Sequence, residues 1–117
     1  MPHNEFGQPI GPAVPGWTPR PAIEPVTLTG RHVRLEPLTQ AHAGLLYAPM
    51  VTGSDPRIWT YYPHPPRMTW PEFGAYVAGL LHLPAAVPLA VRGPDGAGLG
   101  VACYLRIDPA NGSAEVG

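Results

Sequence analysis

The sequence predicts an α/β chain of the α+β kind: a mixed, mostly antiparallel sheet with two helices after its first strand, closing on a β-meander. Three observations predict it. Leu99, Val101, Cys103, Leu105 and Ile107 alternate with Gly100, Ala102, Tyr104 and Arg106, the period of two that gives a strand one buried face and one lighter face. Turn-forming clusters bracket this strand, Pro94-Asp95-Gly96 before it and Asp108 to Gly112 after it, supplying the preset and positive φ values that hairpins demand. Upstream, Thr69-Trp70-Pro71-Glu72 reads as the opening of a helix, with a Thr cap, a Glu three residues later to complete a capping box, and Pro tolerated in the first turn.

Taken in order, residues 1–25 hold seven of the 18 prolines, spaced so that neither helix nor ladder can propagate, and form an extended arm that Phe6, Ile10 and Trp17 could anchor. The domain then spans 26–117. Val33 and Leu35 alternate with His32, Arg34 and Glu36 as in a half-buried strand, which Pro37 ends. Thr39 can cap a short helix from Gln40 to about Ala48, presenting Leu45 and Leu46 to the core until Pro49 stops it. His42, within this helix, has no metal-ligating companion at useful spacing. Thr52 to Arg67 is a loop that concentrates Trp59, Tyr61 and Tyr62, either as a binding wall or as a plug for the end of the sheet. His64 shares that loop, with nothing in its neighbours to make it a base. Phe73, Val77, Leu80 and Leu81, with Tyr76 alongside, form the inward stripe of the second helix. The last strand has just begun at Ala114 to Gly117, so the chain is expected to be the front part of a longer domain.

Composition narrows the function. Net charge is −1, with all seven basic residues Arg, and no basic cluster marks a nucleic-acid binder. Cys103 is the single cysteine, on the apolar face of the central strand, where it acts as a small hydrophobe. With no apolar run long enough to span a bilayer and no signal-peptide pattern at the N-terminus, a cytoplasmic location is expected. Gly93 to Gly100 is rich in glycine but joins two strands, whereas a phosphate loop opens a helix. Neither Ser54 nor Ser113 lies in a nucleophile elbow. The Asn111-Gly112-Ser113 sequon reads as a turn.

The wording of Leu28 to Leu38 (LTGRHVRLEPL) resembles the opening strand of the GNAT superfamily of N-acyltransferases, in the branch of the ribosomal-protein N-terminal acetyltransferases. Trp59 to Pro63, Thr69 to Leu81 and Gly100 to Gly117 are similar to that branch's aromatic loop, second helix, and third and fourth strands. Gly7 to Gly11 and Trp17 to Arg20 are similar to the leader some members carry. The resemblance implies the front half of a GNAT-like fold and transfer of an acetyl group from acetyl-CoA to an amine of a small molecule or peptide. It implies Trp59, Tyr61, Tyr62 and Tyr104 as candidates for the amine-side wall and Glu115 as a candidate base, against the simpler expectation that Glu115 pairs with Arg106 across the hairpin. The family's Q/R-x-x-G-x-G/A pyrophosphate loop has no counterpart here, so these residues alone are expected to bind acetyl-CoA poorly and to be inactive. A non-catalytic interaction module, or an inactive fragment, is the alternative.

Overall fold

The structure is a computed structural model that describes residues 1–117. Its sheet has five strands, β1 (Leu28–Thr29), β2 (Arg34–Pro37), β3 (Val87–Arg92), β4 (Gly98–Asp108) and β5 (Ser113–Val116), in the spatial order of the chain. Every neighbouring pair is antiparallel. Between β2 and β3 run helices α1 (Ala43–Tyr47) and α2 (Trp70–Leu81). No helix is long and apolar enough to cross a membrane. Sequence order and expected fold class agree with this arrangement; β1 is an extra two-residue strand made by the bend at Gly30.

α2 begins as the residues dictate. Thr69 Oγ1 accepts from the Glu72 N–H, and Glu72 Oε1 accepts from the Thr69 N–H at 3.1 Å. This reciprocal pair of hydrogen bonds satisfies two of the free donors at the helix start. Phe73 and Val77 then point inward and, with Leu46 of α1, are completely buried. They centre a core that Leu38, Trp59, Met68 and Ala90 complete, with Val101 packed against it. Leu81, expected inward, is exposed because the inward stripe ends on Leu80, one position earlier on the helix.

Pro49 does not stop α1. A 3-10 turn (Gln40–His42) leads into the helix, and a π-helical turn (Ala48–Thr52) carries it past the proline. The Gly53 N–H donates to the Ala48 carbonyl at 2.7 Å, a five-residue step. A proline here removes only its own donor to Leu45, and the wider turn avoids the clash a proline ring makes in a tight helix. The Leu45 carbonyl faces Gly98 instead: a Cβ there would lie 2.7 Å from the Leu45 oxygen and 2.8 Å from its Cγ. Gly98→Ala is therefore expected to lower stability by about 1–3 kcal/mol. A thermal melt unchanged within about 1 °C would refute that contact.

β4 is irregular at both ends. Arg92 opposes Gly98 while Val91 opposes Gly100, so Leu99 is the extra residue of a bulge. That turns it half into solvent, 51% exposed, where strict alternation had placed it inward. At the far end Leu105 opposes Glu115 and Asp108 opposes Ser113, with Arg106 left-handed at φ 47°. Val33 falls outside β2 and is exposed for the same kind of reason: the bend after Gly30 consumes it.

Both hairpin turns form as the sequence predicts. Gly96 and Gly112 take positive φ, 85° and 63°. The arm docks on the second turn through Trp17, whose indole N–H donates to the Ala110 carbonyl at 2.9 Å, and through the Arg20 N–H to Pro109. The Arg20 guanidinium lies 4.6 Å from the Trp17 ring centre, a cation–π contact. Phe6 is 77% exposed and anchors nothing.

Glu36 knits the helix side of the sheet together. Its carboxylate accepts from His42 Nε2 at 2.9 Å and from Arg92 at 3.0 Å, and pairs with Arg34. The Thr39 N–H donates to His42 Nδ1 at 2.9 Å, so the ring proton sits on Nε2 and points at Glu36. These partners, His42 first and Arg92 second, hold the Glu36 carboxyl at about 2 instead of 4.5. A depressed carboxyl stabilises the fold above the unfolded value and loses that contribution as pH falls toward the folded one. The stability gap between wild type and Glu36→Gln is expected to be full at neutral pH and to shrink between about pH 4.5 and 2. A gap that stays constant through that range in acid melts would contradict the cluster.

Candidate functional site

The π-turn at the end of α1 does more than admit Pro49. It leaves the Met50 carbonyl free to accept from the Trp59 indole N–H at 2.9 Å and from the Ser54 hydroxyl at 2.8 Å. Trp59 is held from the other side by a 3-10 turn (Pro56–Trp59) whose cap, Asp55, accepts from the Arg57 N–H at 2.9 Å. Trp59 thus sits 4% exposed at the base of the aromatic loop. Around it the rings of Tyr62 and Tyr76 stand edge-on, with centres 5.7 and 5.2 Å away. His64 packs against Tyr76 at 4.9 Å.

This aromatic group walls a groove of about 240 Å³ between the loop and the start of β4, where Leu99, Gly100 and Val101 form the opposite side. A second groove of about 470 Å³ runs along α2 beside His64 and Met68, and Tyr76 stands between the two. Burial, with smaller contributions from Cys103 and Tyr62, pushes the Tyr76 phenol up to about 12, so it is a neutral hydrogen-bonding group at physiological pH. Burial likewise pushes the Cys103 thiol up, which suits a packed hydrophobe and not a nucleophile.

Of the residues singled out in the sequence, the structure brings Trp59 and Tyr62 together at the groove. Tyr61 projects into solvent, 96% exposed. Tyr104 opposes Val87 and Val116, and the regular alternation of this part of β4 turns it to the face opposite Val101. Glu115 opposes Leu105, four positions and about 13 Å along β4 from Val101. Its carboxylate lies 3.4 Å from Arg106 Nε, the cross-hairpin pair weighed against a base. Sequence reading missed Leu99 and Val101 as groove residues, since nothing in a period of two announces a bulge. It also placed Tyr76 only as a core neighbour, although its spacing from Phe73 carried that signal.

No family model and no curated protein matches the sequence. Solved structures do. A GCN5-related N-acetyltransferase from Brucella melitensis superposes with a TM-score of 0.79 at 33% identity over 89% of this chain. The fold is GNAT-like. A probable acetyltransferase of the GNAT family from Chromobacterium violaceum ATCC 12472 gives 0.76 at 25% identity over 93% of this chain, and a putative acetyltransferase from T. thermophilus gives 0.67 at 28% over 81%. The chain spans about half the length of these structures, 48%, 55% and 48% respectively. In GNAT-like terms, then, the aromatic groove lies between the loop joining the two helices and the central strand of the meander.

Proposed function

We propose that this chain supplies the amine-binding side of an N-acetyltransferase, with residues 26–117 as a partial acetyltransferase domain and residues 1–25 as a docked arm. The observation that carries this reading is the groove walled by Trp59, Tyr62 and Tyr76 within a GNAT-like sheet. An apolar, mostly pre-formed cleft with a few polar atoms is the usual form of a small-molecule site. The likeness to the ribosomal-protein branch over Leu28 to Leu38 supports a peptide or small amine as acceptor.

Acetyl-CoA is the donor such a fold implies, and the residues present do not fit it. The glycine-rich turn spends most of its donors internally, Gly93 N–H on Ala97, Gly96 N–H on Gly93 and Ala97 N–H on the Asp95 carboxylate, so it offers a pyrophosphate no cradle of free N–H groups. These residues are therefore assigned the acceptor alone. Trp59 forms the floor, Tyr62 and Tyr76 orient the bound amine from the sides, and Leu99 and Val101 exclude water from it. The pairing of Glu115 with Arg106 supports an electrostatic tie between strands and gives no support to a base.

The test is thiol release from acetyl-CoA by the protein as its gene encodes it, with and without a panel of primary amines and peptides. Release that depends on an added amine, with the acetylated amine recovered, is expected. Release independent of amine, or none with any acceptor, would count against an acetyltransferase.

A further inference from the structure

Resting on the reading of the groove as an acceptor site, we infer that the amine it takes carries a single positive charge on an aromatic or otherwise apolar body, and that polyamines and aminosugars are excluded. The placement of the carboxylates decides this. The chain has eight Asp and Glu, and none of them lines the groove. Glu36 is held by His42, Arg92 and Arg34. Asp55 is held by Arg57, and Glu72 by Thr69 at the start of α2. Asp95 and Asp108 fold back on their own turns, accepting from Ala97 and Asn111. Glu115 faces Arg106, and Glu5 and Glu24 lie exposed in the arm.

The groove offers instead the apolar surface of Met50, Ile58, Leu99 and Val101 and the rings of Trp59 and Tyr62. Its free polar side-chain atoms are the phenol oxygens of Tyr62 and Tyr76, because the Trp59 N–H is already given to Met50. One ammonium group beside aromatic rings and phenol hydroxyls is stabilised by the ring quadrupoles and by hydrogen bonds. A second ammonium would lose its water with no opposite charge to meet it. An apolar body gains the burial that the wall provides.

The experiment is calorimetric titration of the full chain with 2-phenylethylamine and with spermidine at one ionic strength, on wild type, Tyr62→Ala and Leu99→Glu. Wild type is expected to bind 2-phenylethylamine at least about tenfold more tightly than spermidine. Tyr62→Ala should weaken the aromatic amine and leave spermidine unchanged. Leu99→Glu, at a half-exposed position that tolerates a charge, should shift the preference toward spermidine. Spermidine binding as tightly as the aromatic amine, or neither binding, would overturn the inference. Acetyl transfer to the same two amines by the protein as its gene encodes it, run in parallel, separates the two readings. Binding of 2-phenylethylamine without acetylation leaves the inference standing and removes the acetyltransferase.

Discussion

Trp59→Ala is expected to unfold much of the domain, whereas Tyr62→Ala is expected to leave it folded and to weaken only the amine. The two side chains are neighbours in the same loop, 5.7 Å apart between ring centres, yet one is 4% and the other 59% exposed. Removing a buried Trp forfeits its transfer free energy and leaves a cavity, about 3–5 kcal/mol. For a domain of this size that is a fall of about 12 °C or more in Tm. The indole also closes the π-turn through Met50, so Trp59→Phe should cost about 1 kcal/mol more than its lost area alone. Tyr62 contributes an edge contact, worth about 0.5–1.5 kcal/mol, and should show a small change in Tm. In the acetyl-transfer assay, run on the protein as its gene encodes it, its loss should raise the amine KM about tenfold and leave the acetyl-CoA KM unchanged. Matching losses of Tm and of both KM values in Tyr62→Ala would make both residues core plugs and would remove the wall.

That contrast could not be drawn from the sequence, where Trp59, Tyr61 and Tyr62 form one aromatic run. What was legible there was local and chemical. Thr69 and Glu72 declare a helix start because both partners of the capping box lie within four residues. Gly96 and Gly112 declare turns because few other residues tolerate positive φ. The GNAT-like order followed from these signals and the period of β4. What was illegible depended on contacts far apart in the chain. Pro49 looks like a stop until the Leu45 carbonyl it frees is seen against Gly98. Leu99 looks buried until the register slip beside Arg92 turns it outward. His42 looks solitary until Glu36, six residues earlier on another element, accepts from its proton-bearing nitrogen. Tyr61 and Tyr62 differ in nothing but which way a proline-rich loop turns them.

Titration of the 117-residue chain with acetyl-CoA is expected to give no saturable heat up to about 1 mM, a limit near −4 kcal/mol of binding free energy. A pyrophosphate is held by unspent backbone N–H groups, most effectively at the start of a helix where the dipole adds to them. At each place that could offer such donors, an acceptor of the chain already stands against them. At the start of α2 the carboxylate of Glu72 takes the Thr69 N–H, and hydrogen bonding to Thr69, first from backbone and then from side chain, holds the Glu72 carboxyl below its ordinary value. A phosphate would meet a negative charge there, not a vacant positive end. The start of the first helix is closed by His42 on the Thr39 N–H. In the turn between β3 and β4, Asp95 takes the Ala97 N–H, while Arg92 donates twice to the Gly96 carbonyl. Glu72→Ala exposes the Thr69 N–H and removes the charge, and it should still show no binding, because one freed helix end lacks the glycine-rich approach that lets phosphates reach the backbone. Saturable micromolar binding by wild type would show that these residues hold the donor as well, and would end their assignment to the acceptor side alone.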